Sequence, residues 1–223
     1  MYETTVTVAA EACAEDTKGH TCYICTQAAH WKTKEGLVRG CACRGTAGFA
    51  HVSCLAEQAK ILVEEVEENN LDDMAMRARW NRWNSCSLCE QKYHGIVGCA
   101  LGWACLKTYV GRPETDAAQR MAINLLGNGL STSGYHQCAL SVLEAELALQ
   151  RRLGDSEGNI LAVQSNLAGS YKANGRPECA LRMQRDVYSG WLKLEGEESN
   201  DAIREAHNLA FVLLSLQRLE EAK

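Results

Sequence analysis

The sequence predicts two architectures in series: a small, loop-rich α+β module in the N-terminal third, then an all-α solenoid of helical hairpins. Three observations predict them. Cysteine and histidine crowd into four close pairs before residue 90, a set of marker residues recurs at intervals of 41 and 42 in the C-terminal half, and only Pro113 and Pro177 interrupt the 223 residues. Few β-branched runs follow residue 92, so that part should be almost wholly helical.

Composition narrows the field. A net charge of -5, with no Lys/Arg block, leaves no electrostatic footprint for nucleic acid. The longest apolar stretch, Ile96 to Leu106, is far short of the roughly 20 residues a bilayer span needs, so no membrane span is expected. No basic segment followed by an apolar run opens the chain. Cys13, Cys99, Cys105, Cys138 and Cys179 stand singly in apolar or helical surroundings, as free thiols that behave as small hydrophobes. Unpaired thiols fit a reducing interior, so cytoplasm or nucleus is the expected location.

The four pairs are Cys22-x-x-Cys25, Cys41-x-Cys43, His51-x-x-Cys54 and Cys86-x-x-Cys89. Each brings two soft ligands close enough for one tetrahedral Zn²⁺, and four pairs fill two closed structural sites. If pairs one and three share an ion and two and four the other, the chain crosses itself. The sites are then Cys22, Cys25, His51 and Cys54, and Cys41, Cys43, Cys86 and Cys89. Spacing alone also permits sequential pairing. Either way metal supplies the folding free energy, on the order of 10 kcal/mol per zinc, to a segment too small to fold on burial.

CYIC, CACRGTAGFAHVSCL and WNSCSLCEQKYHG, with Trp83 shortly before the last pair, resemble the RING-CH (variant RING) domain of ubiquitin ligases over about residues 18 to 93. The resemblance implies a cross-braced two-zinc fold that does no chemistry at the metal. It docks a ubiquitin-conjugating enzyme through a shallow apolar surface, to which Ile24 and Leu88 correspond. It assigns no catalytic residue, since the nucleophile is the substrate's lysine. The PHD finger, a histone-tail reader, shares the ligand order but typically has more residues inside the second pair and an aromatic where Asn84 stands. Three departures from RING-CH are Gln58 in place of a frequent Trp, Glu90 in place of a frequent basic residue, and a long gap of 31 residues between Cys54 and Cys86.

That gap reads as a helical insertion over 55–79. Leu55, Ala59, Leu62 and Val66 recur at helical spacing, Asn69 and Asn70 suit a helix end, and Trp80 and Trp83 return to the metal core. Residues 1–17 read as a flexible tail. His20, His30 and His94 lie near the ligands without completing a pair.

From residue 94 to 223 the chain is self-similar. Leu125, Asn166 and Asn208 begin equivalent stretches, Gly134, Gly175 and Gln217 take the turn position, and Ala139, Ala180 and Ala222 follow. Ile160, Val163, Leu167 and Tyr171 mark one face of a first helix, and Leu181, Val187, Trp191 and Leu194 one face of a second. NLAGSYKANGRPECAL resembles a tetratricopeptide repeat, and the long period resembles that of kinesin light chains. The last repeat is incomplete. The resemblance implies a concave face for a protein or peptide ligand. Asn166 and Asn208 match an Asn that faces such a groove, or else bond between neighbouring helices.

The sequence thus reads as a zinc-binding ubiquitin-protein ligase that recruits its substrate through helical repeats. A non-enzymatic zinc-stapled adaptor, or a PHD-type reader, are the alternatives.

Overall fold

The computed structural model describes residues 1–218 and divides into two compact units, the first covering Met1–Gly134 and the second beginning at Tyr135. In the first unit, α1 (Tyr2–Ala12) and the single turn α2 (Ala14–Thr17) precede the ligand loops. The helices α3 (Val52–Glu68) and α4 (Asp73–Trp80), a 3-10 turn at Asn81–Trp83, α5 (Gly95–Tyr109) and α6 (Ala117–Thr132) follow. The β component is two isolated antiparallel bridges, Val38 with Ala50 and Ser85 with Lys92.

The centre of this unit is α5, which is apolar almost all round and therefore needs cover on several sides. It packs against α1, α3 and α6, burying Val97, Ala100, Leu101, Ala104, Cys105 and Tyr109. The approach of α6 is close: a Cβ on Gly102 would lie 2.9 Å from the Leu126 Cα. This is why α5 and α6, placed by the sequence among the repeats from residue 94, group with the metal-ligand loops.

Two expectations are corrected here. Residues 1–17 are helical rather than a flexible tail, because Tyr2, Val6, Ala9 and Cys13 fall on one helical face and Val6 and Ala9 bury against α5. The insertion over 55–79 is two helices broken after Glu68, where Asn70 takes φ 49° and the Asp72 carboxylate accepts from the Ala75 N–H at 2.8 Å to start α4. The inward face of α3 runs through Leu55, Ala59, Val63 and Val66, with Leu62 half-buried beside it. Trp80 and Trp83 bury as expected, their rings 5.4 and 5.8 Å from that of Tyr109. Beyond them Arg112 lies over the Tyr109 ring and grips Glu67 with two hydrogen bonds of 2.6 and 2.9 Å.

The second unit is a run of antiparallel helices, α7 (His136–Leu153), α8 (Glu157–Ala173), α9 (Pro177–Glu195) and α10 (Asn200–Ser215), each packed on the next. Ser156 and Ser199 cap α8 and α10 through Asn159 and Ala202, and Pro177 occupies the first turn of α9, where its missing N–H costs nothing. The turn position is left-handed in every repeat: Gly134, Gly175 and Gln217 have φ of 83°, 72° and 58°. Ala139 and Ala180 are fully buried, as a small residue at a helix contact should be. Ala222 lies outside the described residues. Val163, Leu167, Leu181, Val187 and Trp191 are buried, Ile160 and Tyr171 pack at the margin of the core, and Leu194 is exposed. Among the described residues no helix is long and apolar enough to cross a membrane.

Candidate metal centre

The eight predicted ligands converge into two clusters, Cys22, Cys25, His51 and Cys54 in one, Cys41, Cys43, Cys86 and Cys89 in the other. Pairs one and three therefore share a site, as do two and four, and sequential pairing is excluded. Within each cluster the ligand atoms all lie within 4.8 Å of one another. The Cys43 and Cys86 sulfurs are 3.7 Å apart, far beyond the roughly 2.05 Å of a disulfide and close to the edge, about 3.8 Å, of a sulfur tetrahedron around zinc. His51 Nδ1 stands 3.3 Å from Cys25 Sγ and 3.6 Å from Cys54 Sγ, while its Nε2–H points to the Ala28 carbonyl at 3.4 Å. That outer hydrogen bond leaves the Nδ1 lone pair for the metal. Two zinc ions fit these donor sets.

Two of the ligand pairs are built alike. In Cys22–Cys25 and Cys86–Cys89 the N–H of the second inner residue donates to the first sulfur, Ile24 to Cys22 and Leu88 to Cys86, each at 3.4 Å. The residue after each pair, Thr26 or Glu90, turns left-handed at φ 63° or 59° and donates back to the first Cys carbonyl. Tight turns of this form aim both sulfurs inward. The third pair is built on a helix: His51 precedes the first residue of α3, and Cys54 lies one turn on.

Because the imidazole of His51 is committed to the cluster, it cannot cap α3. Glu35 does so from a loop, its carboxylate accepting from the Ser53 N–H at 2.7 Å and the Ser53 hydroxyl at 2.9 Å. No local signal in the sequence marks this residue as a cap. His30 packs edge-on to His51 with ring centroids 5.3 Å apart, and His20 stacks on buried Phe49 at 4.2 Å.

Thiol ionisation within the clusters is uneven. Burial pushes Cys41 up to about 11 and, with neighbouring thiols adding to the effect, raises Cys43 and Cys54 further. The Gln91 backbone N–H holds Cys89 down to about 7. Burial also lowers His51, favouring the neutral ring that a metal requires. Thiols this close ionise together only beside a cation, which is what the clusters are shaped to take.

These features agree with a comparison against known families. Residues 22–90 match the RING-variant domain. No curated protein matches the sequence. Among solved structures, a Podosopora anserina putative kinesin light chain with nearly identical TPR-like repeats is similar at 21% identity and a TM-score of 0.48, covering 77% of this chain and 71% of that one. A singly substituted form of the same kind of protein gives 18% identity and 0.48, with coverage of 77% and 91%.

Beyond the eight metal ligands, the structure brings Ile24 and Leu88 onto neighbouring turns and leaves the other candidate residues dispersed. Ile24 and Leu88 project from the two matching turns, 36% and 52% exposed, and a Tyr23 to Ser87 hydroxyl contact of 3.1 Å makes those turns neighbours. Glu90 is exposed and Gln58 half-buried on α3. Asn166 is half-buried on α8. Asn208 on α10 donates to Glu205 at 3.0 Å and reaches Ser165 of α8 at 3.5 Å, so its amide bonds between helices. Glu205, which the sequence reading passed over, is fully buried and accepts from Ser165 at 2.6 Å, Gln184 at 2.7 Å and Arg204 at 3.0 Å.

Proposed function

We propose that this chain is a ubiquitin-protein ligase of the RING-variant kind, docking a charged ubiquitin-conjugating enzyme on its metal-built turns and selecting a protein substrate through its helical repeats. The observation that carries the reading is the pair of exposed aliphatic side chains, Ile24 and Leu88, at the same position of two matching, adjacent zinc turns. An apolar residue held on such a rigid turn loses little entropy on docking, so it can dominate a small interface. Transfer would be by proximity: holding the thioester near a substrate lysine raises their effective concentration. Asn166 and Asn208 would lie along the substrate-binding face, Asn208 with its amide already shared with Glu205.

A second reading is an adaptor without transfer activity, favoured by Glu90 at an exposed position where active relatives of this type often carry a basic residue. An in vitro ubiquitination assay across a panel of conjugating enzymes separates the two. Ile24→Ala should keep both zinc ions and lose transfer, whereas Cys41→Ser should lose both. Zinc-loaded wild-type protein that forms no chains with any conjugating enzyme would establish the adaptor instead.

A further inference from the structure

Ile24 and Leu88 are set in turns that belong to different metal clusters. Cys22 and Cys25 form one cluster with His51 and Cys54, and Cys86 and Cys89 the other with Cys41 and Cys43. Each ion would fix its own turn, and neither by itself fixes the gap between the two aliphatic side chains. A docking surface made of two separate anchors needs that gap held, because every spacing the free protein visits and the complex cannot use weakens binding.

What spans the gap follows from how alike the turns are. In both, the second inner residue is an exposed aliphatic, Ile24 or Leu88, whose N–H donates to the first sulfur. The first inner residues are Tyr23 and Ser87, and they meet: their hydroxyl oxygens are 3.1 Å apart although 64 positions separate them in the chain. The Tyr23 N–H donates to the Phe49 carbonyl at 2.9 Å and its ring packs against the buried core. Tyr93 packs there too, its hydroxyl beside both the Tyr23 hydroxyl and the Cys86 sulfur. Ser87 is held by its own turn, where the Cys86 carbonyl accepts from the Glu90 N–H at 3.0 Å and from the Arg82 guanidinium at 3.1 Å. A hydroxyl pair carried on two such frames forms with little loss of side-chain freedom. We propose, on the ligase reading of Ile24 and Leu88, that the Tyr23–Ser87 hydroxyl pair is a latch between the two turns. Both are then positioning residues for the conjugating enzyme: they set the spacing of its two anchors and touch none of the reacting groups.

The test follows ubiquitin transfer by the zinc-loaded full chain over a range of concentrations of charged conjugating enzyme, taken from a panel. Tyr23→Phe and Ser87→Ala should each raise KM for the conjugating enzyme about threefold to tenfold, the worth of one lost hydrogen bond, and leave kcat and zinc content unchanged. The double variant should be no worse than either single one, since the second change removes nothing once the pair is broken. Ser87→Thr, which keeps a hydroxyl, should keep the wild-type KM. Additive effects would mean that the two hydroxyls make independent contacts with the conjugating enzyme, and would overturn the latch. So would loss of zinc from either single variant, a fall in kcat at unchanged KM, or a KM raised as much by Ser87→Thr as by Ser87→Ala. Wild-type protein that transfers no ubiquitin with any conjugating enzyme would overturn the ligase reading and the latch with it, whereas wild-type transfer with KM unaltered in both single variants would overturn the latch alone.

Discussion

The zinc-ligand loops and the helices after Tyr135 solve the same problem by opposite means. Between Cys22 and Cys54 the backbone is mostly turns, and its order comes from six of its own side chains drawn, with Cys86 and Cys89, to two points. In the second unit order comes from burial repeated along the chain: Leu140, Leu143, Leu147, Val163 and Leu167 form one cluster, and Ala180, Leu181, Val212 and Leu213 another. The contrast teaches that the first region borrows its stability from an ion and can lose it at once, whereas the second holds it in its own residues and sheds it piecemeal.

Chelation is the strongest way to break that contrast. Removing zinc should withdraw on the order of 10 kcal/mol per site from the first region. Hydrogen exchange on the full chain should then show lost protection around Phe49, Val52 and Trp83, with Leu167 and Val187 still protected. Simultaneous loss in both units would mean that they fold as one.

Acid should separate the regions along the pH axis. Burial lowers the pKa of His51, so as pH falls below about 6.5 an unfolded chain takes up the proton before the folded one does, and protons also compete for the thiolates. Zinc should leave in that range. For Glu205 burial raises the pKa, but hydrogen bonds from Ser165, Asn208, Gln184 and Arg204 outweigh it and hold the carboxyl below its usual value. Its contribution is therefore present above about pH 4.3 and lost only as pH falls through the lower folded value. Glu205→Ala, which strands buried donors, should cost about 1–3 kcal/mol in thermal unfolding of the helical unit and leave zinc content at two ions. Zinc release and helix loss at a single pH would contradict the separation.

The smallest effect compares two strained turns. Thr26 and Gln217 both adopt left-handed backbone that glycine accepts without cost. Thr26→Gly should tighten zinc retention, and Gln217→Gly should raise the unfolding midpoint, each by no more than about 1 kcal/mol. A chelator competition and a thermal melt measure the two.

The ligands were legible because close Cys/His pairs have a short list of uses, and the turn position because glycine recurs there. What the sequence left open was mostly non-local. Which pairs share an ion depends on how the chain crosses itself, and Glu35 caps α3 through Ser53, 18 residues further along the chain. The helix α1 was missed for a different reason: Tyr2, Val6, Ala9 and Cys13 carry the helical period, but its apolar stripe is narrow and its helicity depends on α5 for cover. The break after Glu68 was foreshadowed by Asn69 and Asn70, though Leu62, only half-buried at the edge of the inward face, shows how little a period alone says about which neighbour a face will meet.

Helix α3 has a consequence for the whole first unit. Its leading end is the imidazole of His51, committed to the first ligand cluster, and near its trailing end Glu67 is clasped by Arg112 from the α5–α6 connection. Seventeen residues make a rod of about 25 Å with neither end at liberty. It acts as a ruler between cation and hairpin, so an insertion or deletion within it would have to be absorbed at the zinc or at the guanidinium, for there is nowhere else for the slack to go.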